Sequence, residues 1–382
     1  MGTKAIWPAH YPQNTLILGV APALPGPAAF RQCPRWPRPG GHLGQGLAAG
    51  PGGGVRGVLL NSLFMYVRTN LRPIVIWRLS RNSLMFFLVY NVLICFLYGP
   101  LNMHALDIPW QPVATLGTAV AFYIGFKNNG SYDRFWEGRQ LWGSIVNTSR
   151  VWTLRVFDFV QFPDGYPDAD RVQVLHRRLV YRQIAWCNAL RLHLRRQTAE
   201  GWDAEVAPFL LDPDDSAARF AANPPTHLLR HQSKELLDLY RVGLLSEFRQ
   251  VAMMQTVQDF FNFQGGCERI KNTPFPRQYA YFSFVFVWLF ALLLPLGLVG
   301  EFDSRLPLGQ YHVWLMVPFS VLVSWVFNTI ELVGHISENP FDNTMNDVPM
   351  TSICRSIEID LRELLGEATL PLKVQPVDDV LY

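Results

Sequence analysis

The chain has 382 residues and a formal net charge of +3, a balance that gives no electrostatic footprint for nucleic acid. Hydrophobic residues make up 49% and aromatics 13%, and mean hydropathy is slightly positive. This is too apolar for an ordinary soluble enzyme of this size and fits a chain part in membrane, part in water. The five cysteines, Cys33, Cys95, Cys187, Cys267 and Cys354, form no close pair. That argues against a disulfide framework or a zinc centre and fits a reducing compartment.

Residues 1–64 are rich in Pro, Gly and Arg and carry no periodicity, so they are expected to be a disordered extension. Thr15 to Leu24 is faintly like a signal-peptide core, but it is short, interrupted by Pro22 and preceded by little positive charge. Gly52 to Gly54 is low complexity, not a phosphate loop. The recognisable part opens at Met65, and the reading is that translation starts there. The stretch from Met65 is basic and aromatic, suited to a membrane surface.

Four apolar runs follow: 84–101, 110–126, 280–300 and 311–333. Each has about the 17–25 residues of a spanning helix, and the spans carry almost no ionisable groups. Pro295 and Pro318 fall inside the last two, which membrane helices tolerate. Arg68, Arg72, Arg78 and Arg81 precede the first run. Lys127, Arg134 and Arg139 follow the second, and Arg269, Lys271 and Arg277 precede the third. The loop at 102–109 has no Lys or Arg. By the positive-inside rule both chain ends are cytoplasmic, with the loop at 301–310, carrying Glu301, Asp303 and Arg305, outside.

Residues 127–272 show helical periodicity and many charges, predicting a cytoplasmic helical domain between two membrane hairpins. Arg171 to Arg196 reads as one amphipathic helix and Lys234 to Glu268 as another, with Pro208, Pro213, Pro224 and Pro225 marking breaks. His227 and His231 have the i, i+4 spacing of a helix-borne metal site, but no third ligand lies nearby in sequence, and a solvated face is the better reading. Asp212, Asp214 and Asp215 read as a helix cap or solvated turn. Asp342, Asn343, Asn346 and Asp347 could contact a cation, yet the glycine and final glutamate of an EF-hand loop are missing. No nucleophile–base set appears. The expectation is no catalytic site, no metal and no cofactor, in an all-α integral membrane protein.

Within the second run, Thr118, Phe122 and Phe126 fall at i, i+4 and i+8 and share one helix face. Gly117, Ala121 and Gly125 repeat on the neighbouring face, a row of small residues that lets helices approach closely in lipid. The pair of rows suggests helices ringed about an axis, with aromatic rings forming a hydrophobic constriction. On spacing alone, the plainer reading of ordinary core or lipid-facing residues stays ahead.

The residues that follow change this balance. The run from Gly125 to Gly143 has neighbouring asparagines at Asn128 and Asn129, an Arg-aromatic-Trp triplet at Arg134 to Trp136, and Trp142-Gly143. With Gly265 to Pro276 and Glu338 to Leu361, it resembles the bestrophin family of ion channels, in particular its bacterial members. The matches frame roughly residues 65–365, leaving 366–382 as a tail.

The resemblance implies four transmembrane helices per subunit, a cytoplasmic helical domain, and a homopentamer with one central pore for small permeant ions, chloride above all. By position, the pore neck falls to Thr118, Phe122 and Phe126. The family usually has an apolar residue where Thr118 stands, so this neck should be wetter at its outer end. Asn128 and Asn129 become polar residues of the pore mouth. A second, cytoplasmic constriction falls at Phe248, with Leu245 as the fallback. Animal members bind calcium through a denser acidic cluster than the one at 342–347. The implied partners are membrane lipid and further copies of the chain, and the implied location is the bacterial inner membrane. The competing readings are a cation-selective channel of the same fold, its mouths lined by Asp107, Glu301 and Asp303, a non-conducting membrane scaffold, and a membrane enzyme or transporter.

Overall fold

The computed structural model describes residues 73–161, 169–211, 217–305 and 313–376. The extension 1–64, Met65, the aspartates at 212, 214 and 215, and Tyr311 lie outside the described residues. The described residues form helices joined by loops, with no strand among them. The helices are α1 (Pro73–Tyr98), α2 (Trp110–Phe159), α3 (Ala169–Arg195), α4 (Thr198–Glu205), α5 (Pro224–Arg241), α6 (Glu247–Asn272), α7 (Arg277–Arg305), α8 (Met316–Ile336) and α9 (Met350–Leu364).

Three helical segments among the described residues are long and apolar enough to cross a membrane: Trp77–Tyr98, Arg277–Asp303 and Val313–Ile336. The expected second span, 110–126, runs on without a break into the charged residues after it, as the stretch from Leu116 to Gly143 reads in the sequence. It is the first third of α2, whose 50 residues extend about 75 Å at 1.5 Å per residue. Residue 127 is therefore not a structural boundary. After Pro112 in the first turn α2 contains no proline. Its internal glycines each forfeit about 1 kcal/mol of helix propensity, and several sit where another side chain takes the space. A Cβ on Gly117 would lie 2.6 Å from the Phe290 ring, on Gly130 2.9 Å from Phe275, and on Gly138 3.0 Å from Phe341.

The apolar part of α2 packs against α7, with Val113, Val120 and Ile124 meeting Val287, Phe290 and Leu294. Ile94, Cys95 and Tyr98 of α1 meet Val299, Val313 and Met316. Beyond residue 140, α2 enters a second core with α3, α5, α6 and α9, built on Trp142, Trp152, Trp186, Phe260 and Phe341. Arg178 and Arg182 of α3 both pair with Glu235 of α5.

The helix expected over Lys234 to Glu268 is two helices. Gly243 adopts φ +78°, its N–H donates to the Tyr240 carbonyl, and the Leu244 N–H donates to that of Leu239. This glycine-dependent cap ends α5 and lets α6 start in a new direction. At the other end of α5, Pro224 and Pro225 occupy the first turn and Asn223 caps it, accepting from the Thr226 N–H at 3.2 Å. The four described cysteines, Cys95, Cys187, Cys267 and Cys354, are buried free thiols.

Candidate pore surface

Helical periodicity places Thr118, Phe122 and Phe126 on one face of α2, and in the single subunit that face is uncovered. Phe122 is 69% and Phe126 76% exposed, while Val120 and Ile124, half a turn away, are buried. The exposed face lines a groove of about 670 Å³ that also takes in Ala121, Gly125 and Asn129. Thr118 turns its hydroxyl back to the Ala114 carbonyl at 3.0 Å, satisfying it within the helix.

The row of small residues divides. Gly117 is buried and its near neighbour is Phe290 of α7 in the same subunit. Gly125 has no atom within 4 Å of where a Cβ would stand, and Ala121 is exposed. Only the latter two remain open for another helix; Gly117 already serves packing inside the chain. Gly117→Leu should therefore damage the folded subunit, since overpacking typically costs about 1–3 kcal/mol. Ala121→Leu should leave the subunit folded and alter its assembly. Thermal midpoints and oligomer distributions of the two variants check this, and equal thermal losses would count against the division.

The neighbouring asparagines also part, because successive residues point about 100° apart on a helix. Asn129 is exposed in the groove. Asn128 turns to α8, where its Nδ2 donates to the Ile330 carbonyl at 3.2 Å. A Cβ on Gly334 would collide with the Asn128 Oδ1. Asn128 thus joins two helices of one subunit, in contrast to its expected place at a pore mouth.

Lys127, directly after Phe126, is 2% exposed. Its Nζ lies 2.6 Å from Glu331 Oε1 and 3.4 Å from Glu338 Oε1. The sequence reading took Lys127 for an ordinary flanking charge and counted the spans as almost free of ionisable groups. A lysine ending one apolar run and a glutamate two residues short of the end of another was the signal available.

Three motifs far apart in the chain meet at Arg134. Its Nε donates to the Glu338 carbonyl (2.9 Å), Nη1 to that of Thr273 (2.7 Å) and Nη2 to that of Ile270 (2.8 Å). Burial pulls its pKa down, opposed by the carboxylates of Glu338 and Glu137. Arg269 pairs with Glu137 and Lys271 with Asp342 around the same junction. Asp347 accepts from the Thr344 backbone N–H (3.0 Å) and hydroxyl (2.5 Å), and burial raises its pKa. The acidic loop is thus engaged in internal bonds. Among the described residues no three His, Cys, Asp or Glu side chains converge into a possible metal site; His227 and His231 lie on α5.

Phe248, at the start of α6, is 89% exposed, whereas Leu245 is 2% exposed and belongs to the core of the helical domain. Leu245 therefore drops out as a surface candidate. The sequence reading did not single out Gln255, Gln258 and Asn262, which continue the exposed face of α6.

These features, a helix with an uncovered aromatic row leading from an apolar bundle into a helical domain, are those of a channel-type membrane protein. Residues 62–363 match the family described as Bacterial/Fungal Bestrophin protein. The chain is 31% identical over 314 residues to the voltage-dependent anion channel-forming protein YneE of Escherichia coli K12, covering 80% of this chain and 95% of that one. It is 27% identical over 302 residues to the voltage-dependent anion channel-forming protein mll4386 of Mesorhizobium japonicum, covering 78% and 87%. A solved bacterial bestrophin homologue from Klebsiella pneumoniae superposes with a TM-score of 0.65 at 25% identity, over 75% of this chain and 98% of that one. The chain belongs to the bestrophin family.

Proposed function

We propose that this chain is the subunit of an anion channel, a homopentamer in the bacterial inner membrane that conducts chloride passively through one central pore. The observation that carries the reading is the uncovered face of α2. A phenylalanine pair 69% and 76% exposed, on a stretch of helix whose opposite face at Val120 and Ile124 is buried, needs a covering, and a ring of identical helices about an axis supplies one. Phe122 and Phe126 then form two stacked aromatic rings with Thr118 above them, a neck that offers an ion no replacement for its hydration shell. On this reading residues 110–126 are the fourth span, both termini are cytoplasmic, and Asn129 lies at the inner end of the neck. The extension 1–64 is dispensable for insertion and assembly. The relatives' names support the anion preference, and membership of a channel family supports a conducting protein over an enzyme.

Recording purified protein in planar bilayers under a sodium chloride gradient tests this. A reversal potential near that of chloride is expected. One near that of sodium would assign the cation-selective form of the fold, and a silent, fully assembled protein would assign a scaffold.

On the same reading Phe248 forms a second constriction, in the cytoplasmic domain. Phe248→Ala should change the current or its rectification with a stability change within about 0.5 kcal/mol, as for an exposed side chain. Leu245→Ala should cost about 2–5 kcal/mol. Paired current and thermal-melt measurements separate the two, and a Phe248→Ala protein that melts as Leu245→Ala does would remove Phe248 from the pore.

A further inference from the structure

Past its aromatic rows α2 carries charge. Five charged residues lie between Phe126 and Gln140: Lys127, Asp133, Arg134, Glu137 and Arg139. Lys127 meets Glu331 and Glu338, Arg134 donates to three backbone carbonyls, and Glu137 pairs with Arg269. The half-buried Arg139 lies about 120° around the helix from Asp133. Its Nη1 is 3.5 Å from where a Cβ on Gly143 would stand, a level about 15 Å beyond Asp133 along the axis. Of the nearby cations on α6 and α7, Lys271 pairs with Asp342, and Arg277 borders a separate hollow with residues of α1 and α8. Asp133 is exposed and makes no ion pair or hydrogen bond among the described residues.

The place of this lone charge on α2 gives it a consequence. At about 100° per residue, Asp133 lies within about 20° of Phe122, on the uncovered face. It follows Asn129, which lines the groove, by one helical turn, and Phe126 by about 10 Å along the axis. Thr118, Phe122, Phe126 and Asn129 are uncharged, so the first fixed charge on this row is a carboxylate. A ring of one sign at a pore mouth enriches or depletes permeant ions.

We infer that Asp133 is a specificity-determining residue of the pore. In the pentamer and orientation proposed above, on which this role rests, its copies form a carboxylate ring at the cytoplasmic mouth of the neck. The ring depletes chloride there. It slows chloride leaving the cell more than chloride entering it, because repulsion acts on ions approaching the neck, whereas an ion arriving through the neck departs down its gradient. Five unit charges about 10 Å away in water change the local concentration of a monovalent ion roughly tenfold at about 10 mM salt, where the Debye length is about 30 Å. At about 1 M salt, with a Debye length of about 3 Å, the change nearly vanishes.

Single-channel recording of the purified full chain in planar bilayers, in symmetric potassium chloride at about 10 mM and about 1 M, tests this. The wild type should rectify more strongly at low salt than at high salt. Asp133→Asn should raise the smaller current by up to about tenfold at low salt and leave the high-salt currents unchanged. Asp133→Glu, which keeps the charge, should behave as the wild type. Low-salt currents of Asp133→Asn equal to those of the wild type would overturn the inference and leave the channel standing. Loss of the pentamer by native mass spectrometry, with rectification unchanged in the channels that remain, would also overturn it and assign Asp133 to a contact between subunits. A low-salt current that falls in Asp133→Asn would refute the depletion of chloride and show a conducted cation gathered by the carboxylate. A silent wild type would remove the channel reading and this role with it.

Discussion

Truncating Phe122 and Phe126 together to alanine is expected to raise the current through the channel while leaving the subunit folded. Both rings are largely uncovered in the single chain, so their removal opens no cavity in the intrachain core. The thermal midpoint should move little, as for exposed substitutions. Were the rings core residues, the same truncations would cost about 3–5 kcal/mol each. In the proposed pentamer five copies of each ring, about 6 Å apart along the axis, would make a dry barrier, and ten fewer phenyl groups would let water enter. Single-channel conductance or open probability should rise. Thr118→Ile acts in the opposite sense, extending the apolar neck by one helical turn and lowering the current. A double alanine variant that assembles poorly and gains no current would sink the pore assignment of this face.

The largest expected loss of stability comes from Lys127→Met. Lys127 is buried with Glu331 and Glu338 also buried, so removing the cation leaves the desolvated Glu331 carboxylate without its counter-charge and weakens the compensation of Glu338. Breaking a buried pair from one side typically costs about 3–5 kcal/mol. The melting midpoint of the solubilised protein should fall, and adding Glu331→Gln should recover part of the loss by removing one stranded charge. Removing the exposed Arg269 from its pair with Glu137 provides the control, since surface pairs contribute about 0–1 kcal/mol. A Lys127→Met protein as stable as the Arg269 variant would show that water reaches the cluster.

Much of this was legible in order along the chain. The apolar runs predicted membrane helices, and three of them stand as helices long enough to span. The residues from Arg134 to Trp136, with the motifs near Gly265 and Glu338, pointed to the family. The 3.6-residue period alone aligned Thr118, Phe122 and Phe126, because a helix places residues four apart on one side whatever surrounds it.

What periodicity cannot say is which side of a helix another element will cover. That depended on partners far away in sequence. Phe290 of α7 takes the space beside Gly117, and Ile330 of α8 claims Asn128 but not Asn129. Glu331 and Glu338, about 200 residues on, turn Lys127 from a flanking charge into a buried one. The choice between Leu245 and Phe248 was likewise made by the turn at Gly243, which leads Leu245 into the core and leaves Phe248 outside. Local sequence determines helix and face through backbone geometry. Burial and pairing come from long-range packing, and so the open groove and the buried ion cluster were visible only in the folded chain.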